Sequence, residues 1–236
     1  MVPPTFALEE QRVRKAYARR DARDARYTWA SPSHVFQTHE RERQVLRLLR
    51  QEACLPLTGK TILEVGCGNG TWLREFIKWG ARPQDLWGID LLPARVEQAR
   101  KLCPAETHVE CGSASDLTFA DGRFDIVLQA TMFTSILDHA VRQRIAAEML
   151  RVVKADGFIL WYDFHVNNPW NPDVRGVPKD EIQRLFPGCR LGLRRTVLAA
   201  PVSRRIAPYS WLLCYVLARL TPLCTHYLGT IRKGGA

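Results

Sequence analysis

The stretch LEVGCGNG, Leu63 to Gly70, constrains this chain more than any other part of it. Three glycines, Gly66, Gly68 and Gly70, fall within five residues, directly after the apolar run TILEV and directly before TWLREFIKWG. A short apolar run bounded this way reads as a buried strand, and the stretch behind it as a helix that Gly80 ends. The glycines between them give the backbone access to positive φ and let something approach the main chain closely. The free N–H groups opening the next helix suit an anion or a carboxylate.

The alternation then repeats. DLWGID is a second strand and PARVEQARKLC a helix with Pro93 in its first turn. THVEC is a third strand and FDIVLQA a fourth. A helix follows from about Asp138 to Val153, and FILWYDF is a fifth strand. Strands alternating with helices imply right-handed crossovers and a mostly parallel sheet covered on both faces. Such sheets bind ligands at the carboxyl ends of their strands. In front stands a charged helical arm to about Ala30, then a helix opened by Ser31-Pro32 and ended by Pro56. After Phe164 the sequence reads as a short helix, VPKDEIQRLFP, a strand, CRLGLRRTVLAA, an apolar helix, RIAPYSWLLCYVLARLTP, and a last strand, THYLGTIRK. We divide the chain into an N-terminal helical arm or cap, 1–56, and one α/β domain, 57–236, with a helical insertion near 203–222.

Composition narrows the class. The 236 residues suffice for one large core. Hydrophobic residues at 46% and charged residues at 25% exclude a disordered chain. No run approaches the roughly 20 apolar residues of a membrane span. MVPPTFALEE lacks a basic-then-apolar leader pattern, so no secretion signal is read. Seven cysteines, none in a C-x-x-C pair, imply free thiols in a reducing cytoplasm, without a disulfide framework and with no metal site. The formal charge of +10 sits largely in QRVRKAYARRDARDAR and RLGLRRTVLAAPVSRR. It permits nucleic acid, anionic lipid or an anionic ligand as partner, and equally a solvated arginine-rich helix face.

The dinucleotide fingerprint G-x-G-x-x-G fails here, because the third residue after Gly68 is Thr71. E-x-G-x-G-x-G remains, with Glu64 at its head. Asp90 closes the second strand twenty residues after Gly70, where an acid accepts the hydroxyls of a ribose. LEVGCGNG, GID, FDIVLQA and RVVKADGFILWYDF, taken in order, resemble the successive motifs of class I S-adenosylmethionine-dependent methyltransferases. The resemblance runs from Thr61 to Phe164, with THYLGTIRK standing for the family's last strand. It implies a Rossmann-like seven-stranded, mostly parallel sheet with an antiparallel last strand, helices on both faces, and S-adenosylmethionine as cofactor. By the same resemblance Glu64, Gly66, Cys67 and Gly68 line the methionine and ribose part of the cofactor. Asp90 binds the ribose, Leu91 lies against the adenine, and Ser113, Ala114 and Asp116 hold the adenine edge. Gln129, Ala130 and Thr131 face the sulfonium and methyl. Many relatives have Gly-Asp-Ala where this chain has Gly112-Ser113-Ala114. Other readings of the same residues stand beside these: a plain βα turn for the glycines, a helix cap for Asp90, and an arginine partner for Glu64.

Methyl transfer is an in-line displacement, and a hydroxyl acceptor must also lose a proton. Histidine is the simplest base near neutral pH. His165, just past the fifth strand, is the first candidate, followed by His139 and His39; a loop histidine bonded to backbone is the alternative for His165. NNPW resembles part of the Asn-Pro-Pro-aromatic tetrad of nitrogen methyltransferases, but it follows the fifth strand instead of the fourth. Nucleic acid is therefore disfavoured as acceptor. The reading is methyl transfer to a hydroxyl of a small-molecule, glycan or lipid-linked acceptor, the tail being similar to methyltransferases of bacterial polysaccharide and specialised-metabolite pathways. An RNA methyltransferase and a nicotinamide-dependent oxidoreductase are the alternatives. Tyr17, Tyr27, Phe36 and Gln37 are candidates for a lid, and Arg41 or Arg43 for meeting a carboxylate. The apolar helix near 208–220 reads as a substrate lid, a homodimer contact or a site of peripheral membrane docking. The expected location is cytoplasmic or membrane-peripheral.

Overall fold

Residues alternate strictly along the fifth strand: Ile159 and Trp161 turn to one side of the sheet, Phe158, Leu160 and Tyr162 to the other, and all five are buried. A strand apolar on both faces needs a helical layer on each side. The computed structural model, which describes residues 4–19 and 28–234, has both layers. Its seven strands are β1 (Ile62–Val65), β2 (Leu86–Asp90), β3 (His108–Cys111), β4 (Phe124–Ala130), β5 (Val153–Phe164), β6 (Arg190–Leu198) and β7 (Cys224–Arg232). They lie in the order β3-β2-β1-β4-β5-β7-β6. The first five are parallel, and β7 runs antiparallel between β5 and β6. The sheet expected from the sequence is thus present, with THYLGTIRK as its antiparallel strand.

Eight α-helices are described: α1 (Pro4–Ala18), α2 (Pro32–Gln51), α3 (Thr71–Lys78), α4 (Pro93–Leu102), α5 (His139–Val152), α6 (Lys179–Leu185), α7 (Ala200–Ile206) and α8 (Trp211–Leu217). Val13 of α1, Val141, Ile145 and Met149 of α5, and Ile182 of α6 pack with Leu63, Val65 and Trp161 on one face. Val45 and Leu49 of α2, Trp72 and Phe76 of α3, and Val96 and Ala99 of α4 pack with Ile62, Leu128 and Tyr162 on the other. Polar side chains mark helix starts: Ser31 Oγ accepts from the His34 amide ahead of α2, and Asp138 Oδ1 from the Val141 amide ahead of α5. All seven cysteines are unpaired.

One expected element is different. The apolar stretch 206–222 is not one helix: α7 ends before Pro208, and Ser210 caps a separate α8 through the Leu213 amide. Proline inside a helix removes a backbone donor and clashes with the preceding turn, so the chain restarts after it. Nor is α8 covered all round. It buries Cys214 against Phe36, Leu198 and Ala207 and leaves Leu212 75% exposed.

Candidate active site

The glycine turn leaves β1 at the carboxyl edge of the sheet. Gly66, Gly68 and Gly70 all adopt left-handed φ, at 77°, 54° and 73°. A Cβ at Gly66 would stand 2.7 Å from Met132 Cγ, so absence of a side chain is required there by space as well as by backbone. The Gly66 and Cys67 amides both donate to the Ile89 carbonyl, at 2.8 and 3.0 Å, which ties the turn to the end of β2. Asp90 completes the tie. Its Oδ2 accepts from the Gly68 amide at 2.8 Å and its Oδ1 from the Leu92 amide at 2.9 Å. Leu92 is itself the cap position of α4 and Pro93 its first residue, so Asp90 braces the turn and does not cap that helix.

Above these strand ends lies a cleft of about 830 Å³, part of it open to solvent. That is ample for a cofactor-sized ligand. Its sheet side is built by Gly66, Asp90, Leu91, Ser113, Ala114, Ala130 and Thr131. Seven of the twelve residues read as cofactor-binding therefore share one wall. The other five do not reach it. Glu64 points from β1 to the opposite face of the sheet. Cys67 is buried with its sulfur where a Cβ on Gly88 would come to 2.9 Å, and burial pushes its thiol up. Gly68 acts through its bond to Asp90. Gln129 is fully buried, its amide directed to the Tyr162 carbonyl while its oxygen accepts from the Met132 amide, so its side chain shapes the wall from behind. Asp116 is exposed to solvent outside the cleft. Ser113 Oγ sits 2.8 Å from Ser115 Oγ and accepts from the Ser115 amide, which fixes the loop after β3.

The opposite wall comes from α1 and was only partly legible in sequence. Glu9, Glu10, Val13 and Tyr17 line it, with Arg95, Met132, Ser135 and Ile136 completing the rim. Glu9 joins the walls: it pairs with Arg12 at 2.8 Å and accepts from the Leu137 and Asp138 amides. Burial pulls its carboxyl up, but Arg12 and those amides outweigh burial and hold it below the ordinary carboxylate value. Tyr17 reaches furthest across. Its ring lies 4.4 Å from the Arg95 guanidinium and its hydroxyl 3.1 Å from Ser135 Oγ. Of the other lid candidates, Phe36 and Gln37 face α7, α8 and Leu198, and Tyr27 lies outside the described residues.

The structure brings no candidate histidine to the cleft. His165 has Nε2 2.9 Å from the Cys224 carbonyl and its ring on Tyr227 at 4.7 Å. His165 is thus turned to β7 by one ring nitrogen and does not line the cleft. His139 is exposed at the first turn of α5, 3.8 Å from Glu181, and His39 is set among Trp29 and Trp211. Among the described residues the carboxylate on the cleft wall without a partner is Glu10: Asp90 is held by two amides and Glu9 by Arg12.

Two buried acids flank the site. Glu64 is 2% exposed with Oε2 unpartnered, and burial, reinforced by Asp90, raises its carboxyl well above the ordinary range. Arg41, read as a carboxylate contact, lies 4.8 Å over the Trp72 ring and has a buried, unpartnered Nε. Arg43 is paired with Glu40 instead. Asp163 at the end of β5 accepts from the Thr134 amide, the Thr134 hydroxyl and the Phe164 amide, which anchors the loop carrying Met132 and Ser135.

Comparison with known proteins agrees with this geometry. Residues 62–157 match a family described as "Methyltransferase domain". The chain is 31% identical over 133 residues to phthiotriol/phenolphthiotriol dimycocerosates methyltransferase 1 of Mycobacterium ulcerans, covering 54% of this chain and 47% of that protein. It is 36% identical over 124 residues to 2-methyl-6-phytyl-1,4-hydroquinone methyltransferase of Synechocystis, covering 51% of this chain and 35% of that protein. The chain thus spans less than half the length of these curated relatives. Among solved structures, the 1,6-didemethyltoxoflavin-N1-methyltransferase of Burkholderia thailandensis, determined with 1,6-didemethyltoxoflavin and S-adenosylhomocysteine, superposes with a TM-score of 0.64 at 15% identity over 100% of this chain and 92% of that one. That likeness is one of fold.

Proposed function

We propose that this chain, whose residues 62–157 match a family described as "Methyltransferase domain", is a class I S-adenosylmethionine-dependent methyltransferase that transfers a methyl group to a hydroxyl of an apolar small-molecule or lipid-linked acceptor. The observation that carries the reading is Asp90: a carboxylate held by the Gly68 and Leu92 amides while lining the cleft.

The residues present fit the cofactor. Asp90 suits the ribose hydroxyls, Leu91 and Ile145 supply apolar surface for the adenine, and Ser113 and Ala114 frame its edge. Glu64 stays behind the turn, on the other face of the sheet and outside the cleft lining. S-adenosylmethionine supplies a methyl group already activated on a sulfonium. The protein's work is to align, to exclude water and to accept a proton. Val13 and Tyr17 of α1 close the cleft from above. Thr131, held at φ 57° by its amide bond to the Tyr162 carbonyl, presents backbone at the end of β4. The role first read for His165 passes to Glu10, the wall carboxylate left unpaired.

A hydroxyl-bearing, lipid-like acceptor draws support from the relatives, whose names do not say which atom is methylated. Their names carry a triol and a hydroquinone, together with dimycocerosate and phytyl groups. Both describe hydroxyl-bearing, lipid-like molecules. The test is incubation with methyl-labelled S-adenosylmethionine and fractionated cell extract. Label in a base-stable ether within the lipid-extractable or small-molecule fraction supports the reading. Label confined to RNA, or on carbon or nitrogen, overturns it.

A further inference from the structure

Outside the cleft the most unusual surface is α8 and its surroundings. Tyr209, Leu212, Leu213, Val216 and Leu220 recur at helical spacing and all face solvent, with Leu212 at 75% and Val216 and Leu220 at 52% exposure. A stripe this apolar is costly on a surface in water. Trp211 and Tyr215 turn toward Phe36 of α2, and Tyr215 and Ala218 border a groove with Glu40, Arg43, Gln44, Arg47 and Arg219.

The charge in that groove is one-sided. Its only acid, Glu40, is 2% exposed and already bonded to Arg43 and Gln44. Arg47 and Arg219 are exposed and have no ion-pair partner among the described residues. Arg194 stands behind them, its guanidinium lowered by burial and by the nearby Arg47 and Arg43. Arg204 and Arg205 add two exposed cations where α7 ends, four residues before Tyr209. No described helix is long and apolar enough to cross a membrane.

We propose that this face docks on an anionic lipid bilayer, with Leu212, Leu213, Val216 and Leu220 entering the headgroup region and Arg47 and Arg219 meeting lipid phosphates. An apolar stripe beside unpaired arginines is the arrangement that suits an interfacial helix, and neither half explains the other alone. The commitment to lipid over a second copy of the chain rests on charge. Two copies meeting through this face would bring two basic grooves together, whereas an anionic leaflet neutralises them. The inference stands apart from the identity of the methyl acceptor.

The experiment is vesicle flotation of the full chain, with vesicles of phosphatidylcholine alone and of phosphatidylcholine carrying phosphatidylglycerol. The protein floats with the anionic vesicles, stays in solution with the neutral ones, and is released by salt. The Arg47→Gln, Arg219→Gln double variant loses about 25-fold in partitioning, about fivefold for each cation removed. The Leu212→Ser, Val216→Ser double variant loses vesicle binding while keeping its circular dichroism spectrum, since both side chains are exposed. Equal binding to neutral vesicles, absence of flotation at low salt, or wild-type binding by both variants overturns the proposal. So does a concentration-dependent dimer that the Leu212/Val216 variant abolishes, which would assign the face to a second copy.

Discussion

The Gly68 amide donates to Asp90 Oδ2 at 2.8 Å, so the turn after β1 and the carboxylate after β2 are one unit. A carboxylate accepting two amide hydrogen bonds is pre-positioned. Losing the charged acceptor for a ligand hydroxyl costs about 1.5–3 kcal/mol, or roughly 10- to 150-fold in affinity. Asp90→Ala is therefore expected to weaken S-adenosylhomocysteine binding by that factor in calorimetry. Asp90→Asn, which keeps one acceptor oxygen but sets its NH2 against the other backbone amide, should lose about 1–3 kcal/mol of stability and still fold. Unchanged affinity in both variants would place the cofactor elsewhere.

Tyr17 is expected to act as a latch. Its hydroxyl meets Ser135 in the turn after β4 and its ring meets Arg95 in the first turn of α4. Tyr17→Phe keeps the ring contact and removes the hydroxyl bond, worth about 0.5–1.5 kcal/mol. Cofactor should then leave about 2- to 10-fold faster in stopped-flow displacement, with overall stability little changed. An unaltered release rate would mean that α1 does not gate the cleft.

Much of the sheet edge could be read from sequence because its signals are local. The turn needs glycine at three positive φ values, and Asp90 follows at the end of the next strand. What could not be read depends on distant partners. His165 was assigned from its place past β5, but its nitrogen faces the Cys224 carbonyl, 59 residues on and across an antiparallel pairing. Gln129 follows the strand period inward, and Asp116 falls on the exposed side of its loop; neither orientation has a local signature. Glu9 and Arg12 looked like solvated helix charge until Leu137 and Ser135 were folded against them. The break at Pro208 is a different case, since the proline was visible and the apolar run simply outweighed it.

Glu10→Gln tests the proton acceptor. The substitution conserves size and removes the base, so turnover should fall by about 10²–10⁴ if Glu10 takes the proton directly. Affinity for S-adenosylhomocysteine should stay within about twofold, because Asp90 and the sheet-side wall are untouched. Rescue separates this from a structural effect: Glu10→Asp keeps a carboxylate and should recover part of the turnover that Glu10→Gln loses. Retained turnover would mean that the acceptor gives its proton to another group or directly to water.

Asp163 makes stability depend on pH in a direction opposite to most carboxylates. Burial raises it, the Thr134 and Phe164 bonds and the Arg142 charge oppose burial, and the carboxyl ends at about 7. An unfolded aspartate releases its proton near about 3.9. Between about pH 4 and 7 the folded chain thus holds a proton that the unfolded chain has lost. The resulting stabilisation is complete below about pH 4 and disappears as pH rises through 7. His226 works the other way. Burial, with Arg41 and His165 adding to it, pushes the ring down to about 3, so its contribution is full above about pH 6.5 and is lost as pH falls. Asp163→Asn removes the first dependence and leaves the second. The variant should be less stable by about 1–3 kcal/mol for its mismatched bond to the Thr134 amide. Beyond that constant offset, the wild-type advantage in urea midpoint should shrink steadily from pH 4 to pH 7. An advantage independent of pH would show that Asp163 is ionised throughout and serves only as an acceptor for Thr134 and Phe164.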